Sequence, residues 1–176
     1  MIFSLFRKDP RRTTIATLYE RIATASRTPG LYAVLGIPDT LEGRFEALSL
    51  HMVLALRALR ELPDPAYEVA KDLTDAFFQD MDASLREMGV GDTVVPKRMK
   101  KVAESFYGRA HAYDAPLNGG DEAGLALALG RNVYGREAPA TSLARYALAA
   151  DRGFKTLNLD TILGTGPVFP GPETFA

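Results

Sequence analysis

Between Leu41 and Leu59, apolar residues recur at three- and four-residue steps on two sides of one helix at once. Leu41, Phe45, Leu48, Met52, Leu56 and Leu59 form one face, while Ala47, Leu50, Leu54 and Ala58 fall on roughly the opposite side at ~100° per residue. A helix with a single apolar stripe rests on the surface of a core. One with two stripes is either packed on both sides or offers its second stripe, here Leu50 and Leu54, to a partner. The pattern therefore organises the chain around a central helix over 39–61. Asp39 is the expected N-cap, Glu42 its capping-box partner, and Pro38 closes off what precedes.

The flanking segments follow the same period. Ile15, Leu18, Tyr19 and Ile22 predict a helix capped at Thr13 or Thr14 and ended by Pro29-Gly30, with one or two further turns over Leu31–Leu35. Asp64 and Pro65 predict the start of a helix with Val69, Leu73, Phe77, Met81, Leu85 and Met88 inward, stopped by Gly89 in a left-handed conformation. Pro96 opens another, with Val95, Met99, Val102, Phe106, Ala110 and Tyr113 inward, ending before Pro116 or at Asn118-Gly119-Gly120. Asp121 caps a helix through Leu125, Leu129 and Val133, and Pro139, Thr141 and Ser142 start one through Leu143, Tyr146 and Ala150. Phe154–Leu163 reads as a last short helix, although Leu157-Asn158-Leu159 also alternates like a strand. The expectation is an all-α fold, one compact bundle of about six to eight helices. Residues 1–12 read as an apolar and basic N-terminal tail, 13–163 as the helical domain, and 164–176 as a Gly/Pro-rich C-terminal tail.

A chain of 176 residues suits one domain, and a net charge of −1 supplies no global field to attract DNA or an acidic substrate. The absence of cysteine removes disulfides, thiolate metal sites and cysteine nucleophiles together. Ile2, Phe3, Leu5 and Phe6, followed by Arg7, Lys8, Arg11 and Arg12, are too few for a secretory segment and carry their basic residues on the wrong side of it. They suit weak contact with an anionic membrane surface. Nothing approaches the ~18–20 apolar residues needed to span a bilayer. A cytoplasmic protein, at most peripheral to the inner membrane, is the resulting expectation.

Candidate chemistry is sparse. Neither histidine, His51 or His111, has a Glu three residues before it, as a di-metal bundle requires; Glu104 and His111 make one pair, well short of a site. No phosphate-binding glycine loop is present. The reading is of a non-enzyme, with no catalytic residue, cofactor or metal assigned. Asp80 lies within the apolar arc of its helix and is expected to form a structural ion pair with Arg44, Arg98 or Arg109. Gly108 sits mid-helix, where Ala would be better by ~1 kcal/mol, on the side of Lys97, Lys101 and Glu104. Either an internal helix, such as the one after Asp121, packs on it, or a partner approaches there beside Tyr107, Arg109 and the basic cluster Lys97, Arg98, Lys100 and Lys101.

Several segments together resemble the ubiquinol–cytochrome c chaperone family. They are Ser26-Arg27-x-Pro29, Gly36-Ile37-Pro38-Asp39-Thr40-x-x-Gly43-Arg44-Phe45 and Leu50-His51-x-x-Leu54-x-Leu56-Arg57. They continue in Asp80-Met81-Asp82-x-x-Leu85-Arg86-Glu87-Met88-Gly89-Val90-Gly91-Asp92, Lys97-Arg98-x-Lys100 and Phe106-Tyr107-Gly108-Arg109. The likeness runs from about Tyr19 to Tyr146, and the short N-terminus suits a bacterial member. It implies an assembly factor for the cytochrome bc1 complex whose client is newly made cytochrome b, with the ribosome as a further partner. Two other classes stay open: an RNA- or ribosome-binding adaptor using Lys97–Lys101, and a helical enzyme or cofactor carrier built on Asp80, His51, His111 and Glu104.

Overall fold

The stretch from Glu46 to Leu59 is buried on every side of its helix, with Leu56 alone partly open. Both apolar stripes are therefore internal from Ala47 to Leu59, while Leu41 at the start of the helix is exposed. In this computed structural model, which describes residues 10–176, the helix is α3 (Leu41–Arg60) and its neighbours form a sheath around it. They are α1 (Pro10–Ser26), α2 (Pro29–Ala33), α4 (Ala66–Glu87), α5 (Val95–Gly119), α6 (Glu122–Tyr134), α7 (Thr141–Phe154) and α8 (Leu159–Gly164), followed by a 3-10 turn at Pro172–Phe175. α3 touches α1, α4, α5, α6 and α7, so a helix with two apolar stripes is what its position demands. The fold is all-α, and no strand occurs among the described residues. The apolar and basic segment Ile2–Lys8 lies outside them.

Local chemistry accounts for most boundaries. Thr40, rather than Asp39, caps α3: its Oγ1 accepts from the Gly43 N–H at 3.1 Å, while Asp39 accepts from Arg44 Nε at 2.7 Å. Gly43 is required here, because a Cβ on it would stand 1.9 Å from the Pro38 carbonyl oxygen. α4 begins at Ala66 with no side-chain cap, so Asp64 does not serve as one. Gly89 ends the α4 segment with φ 79°, and Asp121 caps α6 by accepting from the Gly124 N–H at 3.0 Å. α5 runs through Pro116 to Gly119, since its last turn tolerates the lost hydrogen bond better than an interior turn would.

α4 and α5 join through aromatic rings: Phe77 lies 4.7 Å from Phe106, and Phe78 meets Phe106 edge-on at 5.8 Å. α7 continues to Phe154, so the last α-helix begins only at Leu159. The stretch from Gly164 expected to be a tail instead folds back onto the body. Phe169 packs 4.4 Å from His51 and 4.9 Å from Phe154, and Phe175 lies edge-on to Tyr146 at 5.8 Å.

Candidate functional site

Lys97, Lys101, Glu104, Gly108, His111 and Ala115 follow one another at three- and four-residue steps along α5, and all six are exposed. This row faces away from α3. A Cβ placed on Gly108 meets no atom within 4 Å, so no helix of the described residues packs on it. The residue that lowers helix propensity is therefore not demanded by internal packing. On the α4 side of the row, Tyr107 is 56% exposed although its ring rests 5.5 Å from Phe106 and 6.0 Å from Phe78. A shallow groove of about 480 Å³ continues from Phe78 along Asp75, Gln79, Asp82 and Met99. At the N-terminal end of α5, Lys97, Arg98 and Lys101 have no ion-pair partner among the described residues, and Lys100 stands 3.8 Å from Glu104.

Arg109 turns the other way. Its Nε and Nη2 donate to the buried carboxylate of Glu46 on α3 at 2.9 Å and 2.6 Å, a forked pair that ties α5 to the central helix. Glu46 holds the Arg109 guanidinium above its ordinary pKa. Two of the three expected partners of Asp80 are engaged elsewhere, Arg109 with Glu46 and Arg44 with Asp39 at the surface, while Arg98 forms no ion pair among the described residues. Asp80 instead accepts from the Tyr19 hydroxyl at 2.6 Å, joining α4 to α1, and burial with this carboxylate neighbour raises the tyrosine's pKa. A tyrosine hydroxyl satisfies one carboxylate oxygen at the core edge without bringing in a second charge, which is why Asp80 and Arg44 do not form the expected ion pair. Leu50 and Leu54 are both 0% exposed, so α3 presents neither to a partner in this fold.

A second buried ion pair lies at the other end of α3. Arg57, 4% exposed, donates through Nε to Asp151 of α7 at 3.1 Å, through Nη2 to Asn118 at 2.8 Å, and through Nη1 to Asp114 of α5. Lys155 adds a contact to Asp151 at 3.1 Å. His51 completes the polar interior. Its Nδ1–H donates to the Ala47 carbonyl at 2.7 Å, and its Nε2 accepts from the Tyr146 hydroxyl at 2.7 Å. Burial holds the imidazole neutral, with its pKa lowered to about 4. Both ring nitrogens are thus occupied by protein partners.

The sequence profile described as ubiquinol-cytochrome C chaperone matches residues 33–169, most of the chain. The chain belongs to that family. Among solved structures it is similar to the Cbp3 homolog from Brucella abortus, with 37% sequence identity over 98% of each chain and a TM-score of 0.84. No curated protein matches. In the fold of this chaperone the basic cluster, Tyr107 and Gly108 lie together on the open side of α5, whereas Arg109, Leu50 and Leu54, expected beside them at a partner surface, serve the interior. No helix among the described residues is long and apolar enough to cross a membrane. Glu46, Arg57 and Asp151 escaped sequence reasoning, although a signal existed. Glu46 and Arg57 lie four residues before Leu50 and three after Leu54 on the second stripe, so each end of an apolar face carries a charge of opposite sign.

Proposed function

We propose that the protein is a non-catalytic assembly chaperone of the cytochrome bc1 complex. In this reading it holds newly made cytochrome b at the cytoplasmic face of the membrane through the outward side of α5. Family membership supports the assembly role. The observation that carries the placement is the open row at Gly108, flanked by a half-exposed tyrosine and by Lys97, Arg98 and Lys101, which have no ion-pair partner among the described residues, and covered by no element of the described chain. Tyr and Arg are residue types that anchor interfaces, and a glycine without Cβ lets a client backbone come close. Lys97 and Gly108 are eleven residues apart, about 16 Å at 1.5 Å per residue, a length that suits an extended or helical client better than a small ligand.

Ribosomal RNA is a second reading, favoured by Lys97, Arg98 and Lys101 standing without carboxylate partners. Contact with anionic lipid would draw on the same residues. Affinity capture of the tagged protein from membranes of its native host separates these. The expected outcome is enrichment of cytochrome b that persists as salt is raised. Capture that falls steeply with log salt and yields ribosomal RNA would favour the adaptor instead.

A further inference from the structure

Residues 165–176 follow α8 and cross the body over α7, and their attachment has an unusual make-up. Among the described residues, no hydrogen bond joins residues 167–176 to the rest of the chain; the Thr174 N–H and hydroxyl both donate to Gly171 within the segment itself. The segment is held by half-buried rings and two buried prolines alone. Phe169 lies between His51 and Phe154, Phe175 lies against Tyr146, and Pro167 and Pro172 are buried, while Val168 between them is 79% exposed. The 3-10 turn at its end meets α2 and α7, with Pro172 and Glu173 against Gly30. A β-ladder or a docked helix would add cooperative main-chain bonds; this segment has none to break. Its Gly/Pro-rich sequence also forms no element of its own beyond one turn.

We propose that residues 167–176 are the resident occupant of a peptide-binding groove walled by α2, α3 and α7, and that a segment of the client bearing aromatic rings and prolines takes their place. The resident segment defines the chemistry the groove accepts. It has two recesses for aromatic rings, one over His51 and one beside Tyr146, with a proline-bearing link between them that is extended at Gly171 and closes in a single 3-10 turn, and no demand on main-chain donors. Binding to such a groove is weakened by the fraction of time it is occupied in cis, so release of the strap and capture of a client are coupled. The inference rests on the chaperone reading for the identity of the client, but not for the existence of the groove.

The test uses the full chain, whose lack of cysteine makes an engineered disulfide unambiguous. A Cβ at Gly30 would stand 3.1 Å from the Pro172 Cβ, within a few tenths of an ångström of disulfide spacing once the flexible Glu173 side chain moves aside. The probe is a fluorescent peptide with the sequence of residues 166–176. We expect it to bind Phe169→Ala/Phe175→Ala at least tenfold more tightly than the parent. In the Gly30→Cys/Pro172→Cys variant, binding is lost on oxidation and restored on reduction. Equal binding to oxidised and reduced forms, or none to any form, overturns the groove. Should the double alanine variant lose its cooperative thermal transition, Phe169→Leu takes its place and the disulfide pair still decides. Capture of cytochrome b by the disulfide variant is then compared in both redox states. Loss on oxidation supports the client assignment, and equal capture overturns it. Failure of the parent to capture any cytochrome b would instead count against the proposed function.

Discussion

Arg57 and Asp151 are each almost inaccessible to water, and each is acceptable there only because of the other and of the polar groups around them. Removing Asp151 leaves a buried guanidinium with Asp114 and Asn118 as its remaining partners; removing Arg57 leaves the Asp151 carboxylate to Lys155 at the surface. Arg57→Ala should therefore cost ~3–5 kcal/mol, read as a lower urea midpoint with an unchanged slope. A loss below ~1 kcal/mol would place the pair in the class of surface bridges. His51 gives a pH dependence whose sign follows from its environment. Its folded pKa, about 4, lies below the ordinary value of 6.5, so between these values the unfolded chain binds the extra proton. The contribution is complete above pH ~6.5 and is lost as pH falls toward 4, to a total on the order of 3 kcal/mol. Thermal midpoints measured from pH 7.5 to 4.5 should fall more steeply for the parent than for His51→Asn. Parallel curves would contradict the assignment.

At the scale of elements, the aromatic stack between α4 and α5 holds the outward face in place. Phe106 is 1% exposed, touches Phe77 and Phe78, and backs Tyr107. Phe106→Ala should cost ~3–5 kcal/mol and weaken client capture through the displaced Tyr107, a loss that thermal unfolding and capture would report together. The helices themselves were legible in the sequence because burial of one side writes a 3.6-residue period, and because Asp121 and Gly89 mark ends by local chemistry. Thr40 against Asp39 was not legible: both are good caps, and the choice follows from how Pro38 packs over Gly43. Nor was the strap, since Phe169 and Phe175 have no period, and their packing depends on a groove made jointly by α7 and by His51, which is more than a hundred positions away. Of the candidate site, the α5 row could be read from spacing alone. Whether the second stripe of α3 was spare depends on the number of neighbouring helices, which spacing does not record, and Asp80 found a tyrosine because the pattern fixes a carboxylate's depth without choosing its partner.

For the whole molecule, the decisive feature is a division of labour between two helices. α3 spends both its apolar stripes and its buried charges on holding five neighbours together. α5 uses Phe106, Tyr113 and Arg109 inward and leaves Lys97, Lys101, Tyr107 and Gly108 outward. A client-binding face on α5 can then be altered without touching the core, which a face on α3 could not. Gly108→Leu is the direct measurement, since a Cβ there meets nothing within 4 Å. The account predicts a cooperative thermal transition within a few degrees of the parent, together with loss of cytochrome b from the material captured at native membranes. Unchanged capture by the folded variant, or collapse of its thermal transition, would contradict it.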